Sequence, residues 1–175
     1  MAYRGNMKYF KLINRENHPF PRIINWNHSL DIRKLNRRDY QSLPPFILLN
    51  METGLDAFLP DILISPFLLV SRNVMEVIAL YDSDIPFRFA ALFDTEHGES
   101  AGYYCPILAE EECVAADISS GRGELRLDRE RMTDLPLFLV RRGDRRETLL
   151  RLDLAESLLG REATGIELQE VCLAE

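Results

Sequence analysis

The five residues Gly98-Glu99-Ser100-Ala101-Gly102 fit the G-x-S-x-G pattern, in which a sharp turn lifts a serine hydroxyl clear of a sheet to attack a carbonyl. That chemistry needs a strand that delivers the serine into a helix, and an acid and then a histidine further along the chain. Here Tyr103-Tyr104-Cys105-Pro106 follows, which reads as strand or loop, and the last histidine is His97, ahead of the serine. The segment therefore reads as a Gly-rich loop. His18, His28 and His97 are scattered and fall in no H-x-x-x-H or H-E-x-x-H frame, so no metal site is expected. Gly121-Arg122-Gly123 lacks the further glycine, the lysine and the preceding strand of a phosphate cradle and reads as a turn. Cys105, Cys113 and Cys172 are an odd set at spacings that match neither a redox nor a zinc motif, and they read as small hydrophobes in a reducing compartment. The residues point to no catalytic group and no cofactor.

Charge is the stronger signal. The net charge of −7 hides an uneven distribution: residues 1–50 carry nine Lys and Arg against three Asp and Glu, and residues 51–175 carry twelve against twenty-five. Arg33, Lys34, Arg37 and Arg38 with Tyr40 are the basic group, of the type that contacts phosphates, but the group is small and the chain acidic, so no nucleic-acid partner is expected. Glu110, Glu111 and Glu112 with Asp117 are the densest acidic group. Lying between strands, they are expected to be exposed, either as a solvated loop or as an acidic lure that speeds association with a basic protein partner.

The elements that would position these groups follow from hydrophobic rhythm. Strands are expected at 8–13 and 23–26, and Ser29 or Asp31 can cap a short helix with Ile32 and Leu35 inward. Residues 46–49 form a brief apolar run. Residues 67–70 read as a buried strand, followed by a helix from a Ser71 cap to Tyr81 with Val74, Val77, Ile78 and Tyr81 on one face. Phe87, Phe89, Ala91 and Phe93 then alternate with Arg88, Ala90 and Leu92, which predicts a strand with one strongly buried face. The plan recurs near the C-terminus: a strand at 148–152, a helix capped by Asp153 with Glu156 completing a capping box, Gly160 as a left-handed C-cap, and Ile166 and Leu168 opening a strand. Inward parity shifts from Ile166 and Leu168 to Val171 and Leu173, which calls for a bulge near Gln169 or Glu170. Short strands are expected at 103–108, 114–118, 124–127 and 137–140, the last paired with 148–152 through the turn Arg142-Gly143-Asp144-Arg145.

The expected fold is thus α+β: one mixed or mainly antiparallel sheet carrying two short capped helices in duplicated strand–helix–strand units. A chain of 175 residues with 46% hydrophobic content suits a single domain, with 1–59 an N-terminal extension packed on a 60–175 core. No apolar run resembles a secretory signal or a membrane span, so a cytoplasmic protein without membrane contact is expected.

The order Pro66-Phe67-Leu68-Leu69-Val70-Ser71, amphipathic helix, Ile85-x-Phe87, then Tyr103-Tyr104, Leu125 to Leu127, Leu137-Phe138-Leu139 and a closing helix with Gly165-Ile166-x-Leu168 resembles a family of bacterial immunity-type proteins of polymorphic toxin systems, over about residues 60–175. The resemblance implies a cytosolic α+β protein without catalysis that neutralises a cognate toxin by binding it. Arg141 to Arg146, and Asp153 in place of the serine of the first unit, depart from the pattern. A small enzyme, or a structural or regulatory subunit of a phage or secretion apparatus, stays open beside that reading, and the sequence states no oligomeric form.

Overall fold

The computed structural model describes residues 7–14, 19–54, 57–115 and 124–174. Asp117, Gly121-Arg122-Gly123, His18 and most of the strand expected at 114–118 lie outside them. The described residues form an α+β protein with two mixed six-stranded sheets rather than one shared sheet. In the first, the order is β8 (Glu110–Glu111), β10 (Leu137–Arg142), β11 (Arg145–Arg151), β1 (Tyr9–Leu12), β12 (Leu168–Ala174), β9 (Arg126–Asp128). In the second it is β2 (Arg22–Ile24), β3 (Phe46–Glu52), β6 (Phe87–Asp94), β7 (Glu99–Pro106), β5 (Leu69–Val70), β4 (Ile62–Leu63). Helices are α1 (Trp26–Ser29), α2 (Arg72–Tyr81) and α3 (Leu152–Gly160). Among the described residues no helix is long and apolar enough to cross a membrane.

The two strand–helix–strand units are present, one in each sheet. β5 and β6 flank β7 and are antiparallel to it, so they run parallel to each other with α2 between them in sequence. β11 and β12 flank β1 in the same way, with α3 between them. The N-terminal segment therefore supplies the central strand of the second unit. α2 and α3 meet in one core with residues of both sheets, among them Ile62, Val70, Val74, Ile78, Leu137, Leu150, Leu154 and Leu158. The Tyr81 hydroxyl donates to the Asp153 carbonyl at 3.0 Å and also contacts Ser157 Oγ.

Helix ends differ from the sequence reading in one unit. Ser71 caps α2 as expected, its Oγ accepting from the Val74 amide at 3.4 Å. α3 begins one residue before Asp153, which lies inside its first turn, bonded to the Leu154 amide and bidentate to Arg151. No capping box forms. The left-handed residue after α3 is Glu162 (φ 56°), not Gly160. Ala163 N–H donates to the Leu158 carbonyl and Glu162 N–H to the Leu159 carbonyl, which is the Schellman pattern displaced by two residues from the glycine.

The bulge expected near Gln169 is absent: β12 pairs in register with β1 from Leu168 to Val171. Leu168 packs into the core around the helices, whereas Val171 and Leu173 join Tyr9, Phe138, Val140, Leu149 and Leu127 on the opposite face. With both faces covered, a change of apolar parity needs no kink. β10 and β11, joined by the two-residue turn Gly143-Asp144 with Gly143 at φ 60°, are apolar on both faces for the same reason.

Candidate functional site

The acidic cluster of the sequence sits at the edge of the first sheet. Glu110 and Glu111 form β8 and are half-buried, which corrects the expectation of a fully exposed loop; Glu112 is exposed. Glu110 is already engaged, with Arg141 Nε at 3.0 Å from its Oε1 and Arg146 at 3.4 Å from its Oε2. Across from β8 stand Arg33, Arg37 and Arg38, so the two charged groups that the sequence separates line one cleft of about 760 Å³ together with Arg131 and Arg141. Within it Arg37 holds Asp82 at 3.1 Å and the Ile107 carbonyl at 3.3 Å, and Arg33 is bidentate to Asp31. Tyr40 carries the Arg88 guanidinium 5.2 Å above its ring, which occupies the aromatic that a nucleic-acid reading would need for stacking. Much of the cluster's charge is thus spent within the molecule.

Ser100 lies within β7, on the hairpin that joins β6 to β7, with Gly98 at φ 68° in the turn. The histidine before it belongs to that turn. Asp94, buried at the end of β6, accepts from the amides of Glu96 and His97, from His97 Nδ1 at 2.9 Å, and from both the amide and the hydroxyl of Thr53. Bonds from Thr53 and then His97 hold the Asp94 carboxyl well below its ordinary range, and the carboxylate raises His97 above its own. Thr53 Oγ1 stands 3.5 Å from the same Nδ1 that faces Asp94. A proton relay needs hydroxyl and carboxylate on opposite ring nitrogens. Here the imidazole does not lie between them, and the group instead ties the end of β3 to the hairpin.

Burial lifts the thiols of Cys105 and Cys113 to about 12 and about 11, keeping them protonated, in line with their reading as small hydrophobes. Cys172 is exposed and departs from it. Among the described residues no three His, Cys, Asp or Glu side chains come together as metal ligands.

The site that sequence reasoning missed is on the second sheet. Ala90 and Leu92, not Phe89 and Phe93, face a core, and Ile23, Leu30, Leu35 and Leu43 from the first 45 residues cover that side. The phenylalanine face is turned the other way. Register places Phe46 beside Phe89, Leu48 beside Ala91 and Asn50 beside Phe93 between β3 and β6, with Tyr104 next to Phe89 and Gly102 next to Ala91 on β7. Paired residues share a face. α2 covers this face only toward β7 and β5, where Phe87 and Tyr104 join the core around the helices. Beyond them it is bare: Phe46 is 64% exposed, Leu48 62%, and Phe89 and Phe93 are also exposed. The Phe89 ring lies over Gly102, 3.0 Å from where a Cβ would stand, and meets Tyr104 edge-on at 5.5 Å. At the hairpin end the exposed Ser100 stands beside Phe93 on this face, while Glu99 pairs with Asp94 on the other. Both parities of β3 and β6 are apolar, so the alternation carried no information about which side would be covered.

No protein-family model matches the chain, and no curated protein matches it in sequence.

Proposed function

We propose that the protein is a non-catalytic binding protein that neutralises a partner toxin by covering it, as the resemblance to immunity-type proteins implies. The observation that supports this reading is the bare face of the second sheet. Four large apolar side chains, Phe46, Leu48, Phe89 and Phe93, stand together on two neighbouring inner strands. Isolated exposed apolar residues are ordinary, whereas a contiguous, largely aromatic patch is the anatomy of the core of a protein interface. Aromatic anchors lose little side-chain entropy on binding and carry most of the affinity at such sites. Charge adds a preference of sign: residues 51–175 carry thirteen more acidic than basic residues, which complements a basic partner such as a nuclease and speeds its encounter. In this reading Glu111 and Glu112 contribute to the field rather than to the contact.

The test is co-expression of the chain with the product of the adjacent gene. The wild-type chain is expected to rescue growth and to co-purify with that product. The double variant Phe46→Ser, Leu48→Ser is expected to melt within a few degrees of the wild type, because neither side chain is in a core, and to lose both rescue and capture. Failure of the wild-type chain to bind the product, or undiminished capture by the double variant, overturns the reading.

A further inference from the structure

β3 and β6 run parallel, and each carries apolar residues on both of its faces. On one side Ile47, Leu49, Ala90 and Leu92 are buried in a core shared with Ile23, Leu30, Leu35 and Leu43. On the other, Phe46, Leu48, Phe89 and Phe93 are exposed. Parallel strands that are apolar on both sides follow the pattern of a sheet covered twice, usually by helices. Here one side of the pair has its cover within the chain and the other is open.

The open side has the dimensions of one helix. α2 lies over the neighbouring β5 and β7 on the same face. Strands stand about 4.7–4.9 Å apart, so β3 and β6 present a strip about 10 Å wide, close to the roughly 8–10 Å between packed helices. Phe89 and Phe93 are four residues apart on one strand, about 13 Å. Positions i and i+7 of a helix are about 10.5 Å apart. A single helix beside α2 therefore covers the strip and reaches both of its aromatic ends.

Charge and area select among occupants. Apart from Arg22 and Glu52, which pair with each other at the end of β3, the described residues on this face of β2, β3, β6 and β7 carry no charge. What docks here must present an uncharged apolar surface, while the chain's net charge of −7 favours basic residues on the surfaces that stay in water. An amphipathic helix has both sides. Taking roughly 200 Å² for a fully exposed large side chain, the four residues expose on the order of 400 Å². Two copies stacked face to face would bury about twice that from these residues, short of the roughly 1,200–2,000 Å² of a stable interface, and would bring two acidic chains together. A strand added to the sheet would pair beside β2, the outermost strand, and leave the face open.

We propose that the bare face takes an amphipathic α-helix of the partner, laid beside α2 over β3 and β6, with apolar residues at i, i+3 or i+4, and i+7 against Leu48, Phe89 and Phe93 and basic residues outward. The inference rests on the reading of this face as the partner-binding surface and adds the kind of element that docks there.

Two fluorescein-labelled 18-residue peptides of identical leucine, alanine and lysine content test it by anisotropy with the full chain. One has leucines at helical spacing and the other at alternate positions. The helical pattern is expected to bind saturably, at least about tenfold tighter than the alternating one, to gain helical circular dichroism on mixing, and to keep its affinity within about threefold in 0.5 M salt, where charge attraction alone is screened. Phe46→Ser, Leu48→Ser, which leaves the charge unchanged, is expected to weaken it at least about tenfold. No saturable binding, equal affinity for the two patterns, loss of binding in salt, or undiminished binding to the double variant would each overturn the inference. Rescue and capture with the adjacent product are read separately. Their failure beside intact helical-peptide binding overturns the toxin reading alone, and pattern-blind peptide binding beside intact capture overturns the helix alone.

Discussion

β5–α2–β6 and β11–α3–β12 are built to one plan, yet they are closed by different means. The first unit takes its middle strand from the residues that follow it, β7, and the second takes β1 from the far end of the chain. α2 starts on a side-chain cap and ends in extended backbone at Asp82, whereas α3 starts without such a cap and ends in a left-handed Schellman turn. The sheet of the second unit is covered on both faces; that of the first is bare where α2 does not reach. A shared local plan therefore fixes how strand, helix and strand succeed one another, but not what surrounds them, and only the first unit's sheet is left with an exposed apolar face.

What joins the units is a clamp at Asp61 and Gly165. Asp61 accepts the Ser71 hydroxyl at 2.7 Å, and the Thr164 amide and hydroxyl each at 2.9 Å, so one carboxylate binds the start of α2 and the turn after α3. Thr164 in turn accepts the Asp61 amide, and its carbonyl accepts from Ile62. Gly165 follows at φ 80°, with the Ile62 carbonyl oxygen 2.3 Å and Pro60 Cβ 2.8 Å from where its own Cβ would be. Gly165→Ala is the largest expected disruption, about 3–4 kcal/mol, because a strained backbone conformation and a clash with main chain combine. Urea unfolding checks it; a loss under about 1 kcal/mol would mean that the units are not held at this point.

Asp61→Ala comes next, at about 2–3 kcal/mol, since three donors lose a charged acceptor and are only partly reached by water. Its carboxyl is raised by burial but lowered further by the amide and hydroxyl of Thr164 and the hydroxyl of Ser71, so it lies below its ordinary value in the folded protein. A lowered folded-state value stabilises above the unfolded pKa, about 3.9, and the gain is lost as pH falls through the folded value. The difference in stability between wild type and Asp61→Asn is therefore expected to shrink below about pH 4. A difference that stays constant down to pH 2 would exclude the carboxylate as its source.

The two helix starts give a smaller and more direct comparison. Ser71→Ala removes both the cap and a bond to Asp61 and is expected to cost about 1–2 kcal/mol. Asp153→Ala removes a half-exposed pair with Arg151, expected at about 0.5 kcal/mol. Equal losses would show that Asp153 caps α3 after all.

Much of the local plan was legible in the sequence because it rests on short-range signals: the i, i+3, i+4, i+7 face of α2, the Ser71 cap, the Gly143 turn. What was not legible depended on coverage from afar. Phe87 to Phe93 and Ala90 to Leu92 are both apolar sets, and only the packing of Leu30, Leu35 and Leu43 decides that the smaller set is the buried one. The same blindness produced the unneeded bulge in β12, where one-sided burial was assumed for a strand covered on both sides. The acidic cluster was found as a group, but its engagement by Arg141 and Arg146 is a matter of strand neighbours, β8 beside β10, and no pattern in the sequence announces it.

The end of α3 gives a pair of effects whose signs decide the comparison. A glycine following an amphipathic run is the usual marker of a left-handed helix end, and Gly160 occupies that place in the sequence. In the structure Gly160 is the last residue of α3, is not at positive φ, and a Cβ there would meet nothing within 4 Å. Gly160→Ala should then stabilise the protein by roughly 0.5–1 kcal/mol, as removal of backbone freedom from a helical site does. Glu162, which carries the positive φ, should respond to glycine with a gain of about 1 kcal/mol, because a residue with a Cβ is strained there. If the helix instead ended on Gly160, both signs would reverse, with alanine destabilising at 160 and glycine loosening an ordinary turn at 162. Thermal melts of the two single variants therefore distinguish the two ends directly, and they do so at a position where the second unit is closed by backbone geometry that the first unit lacks.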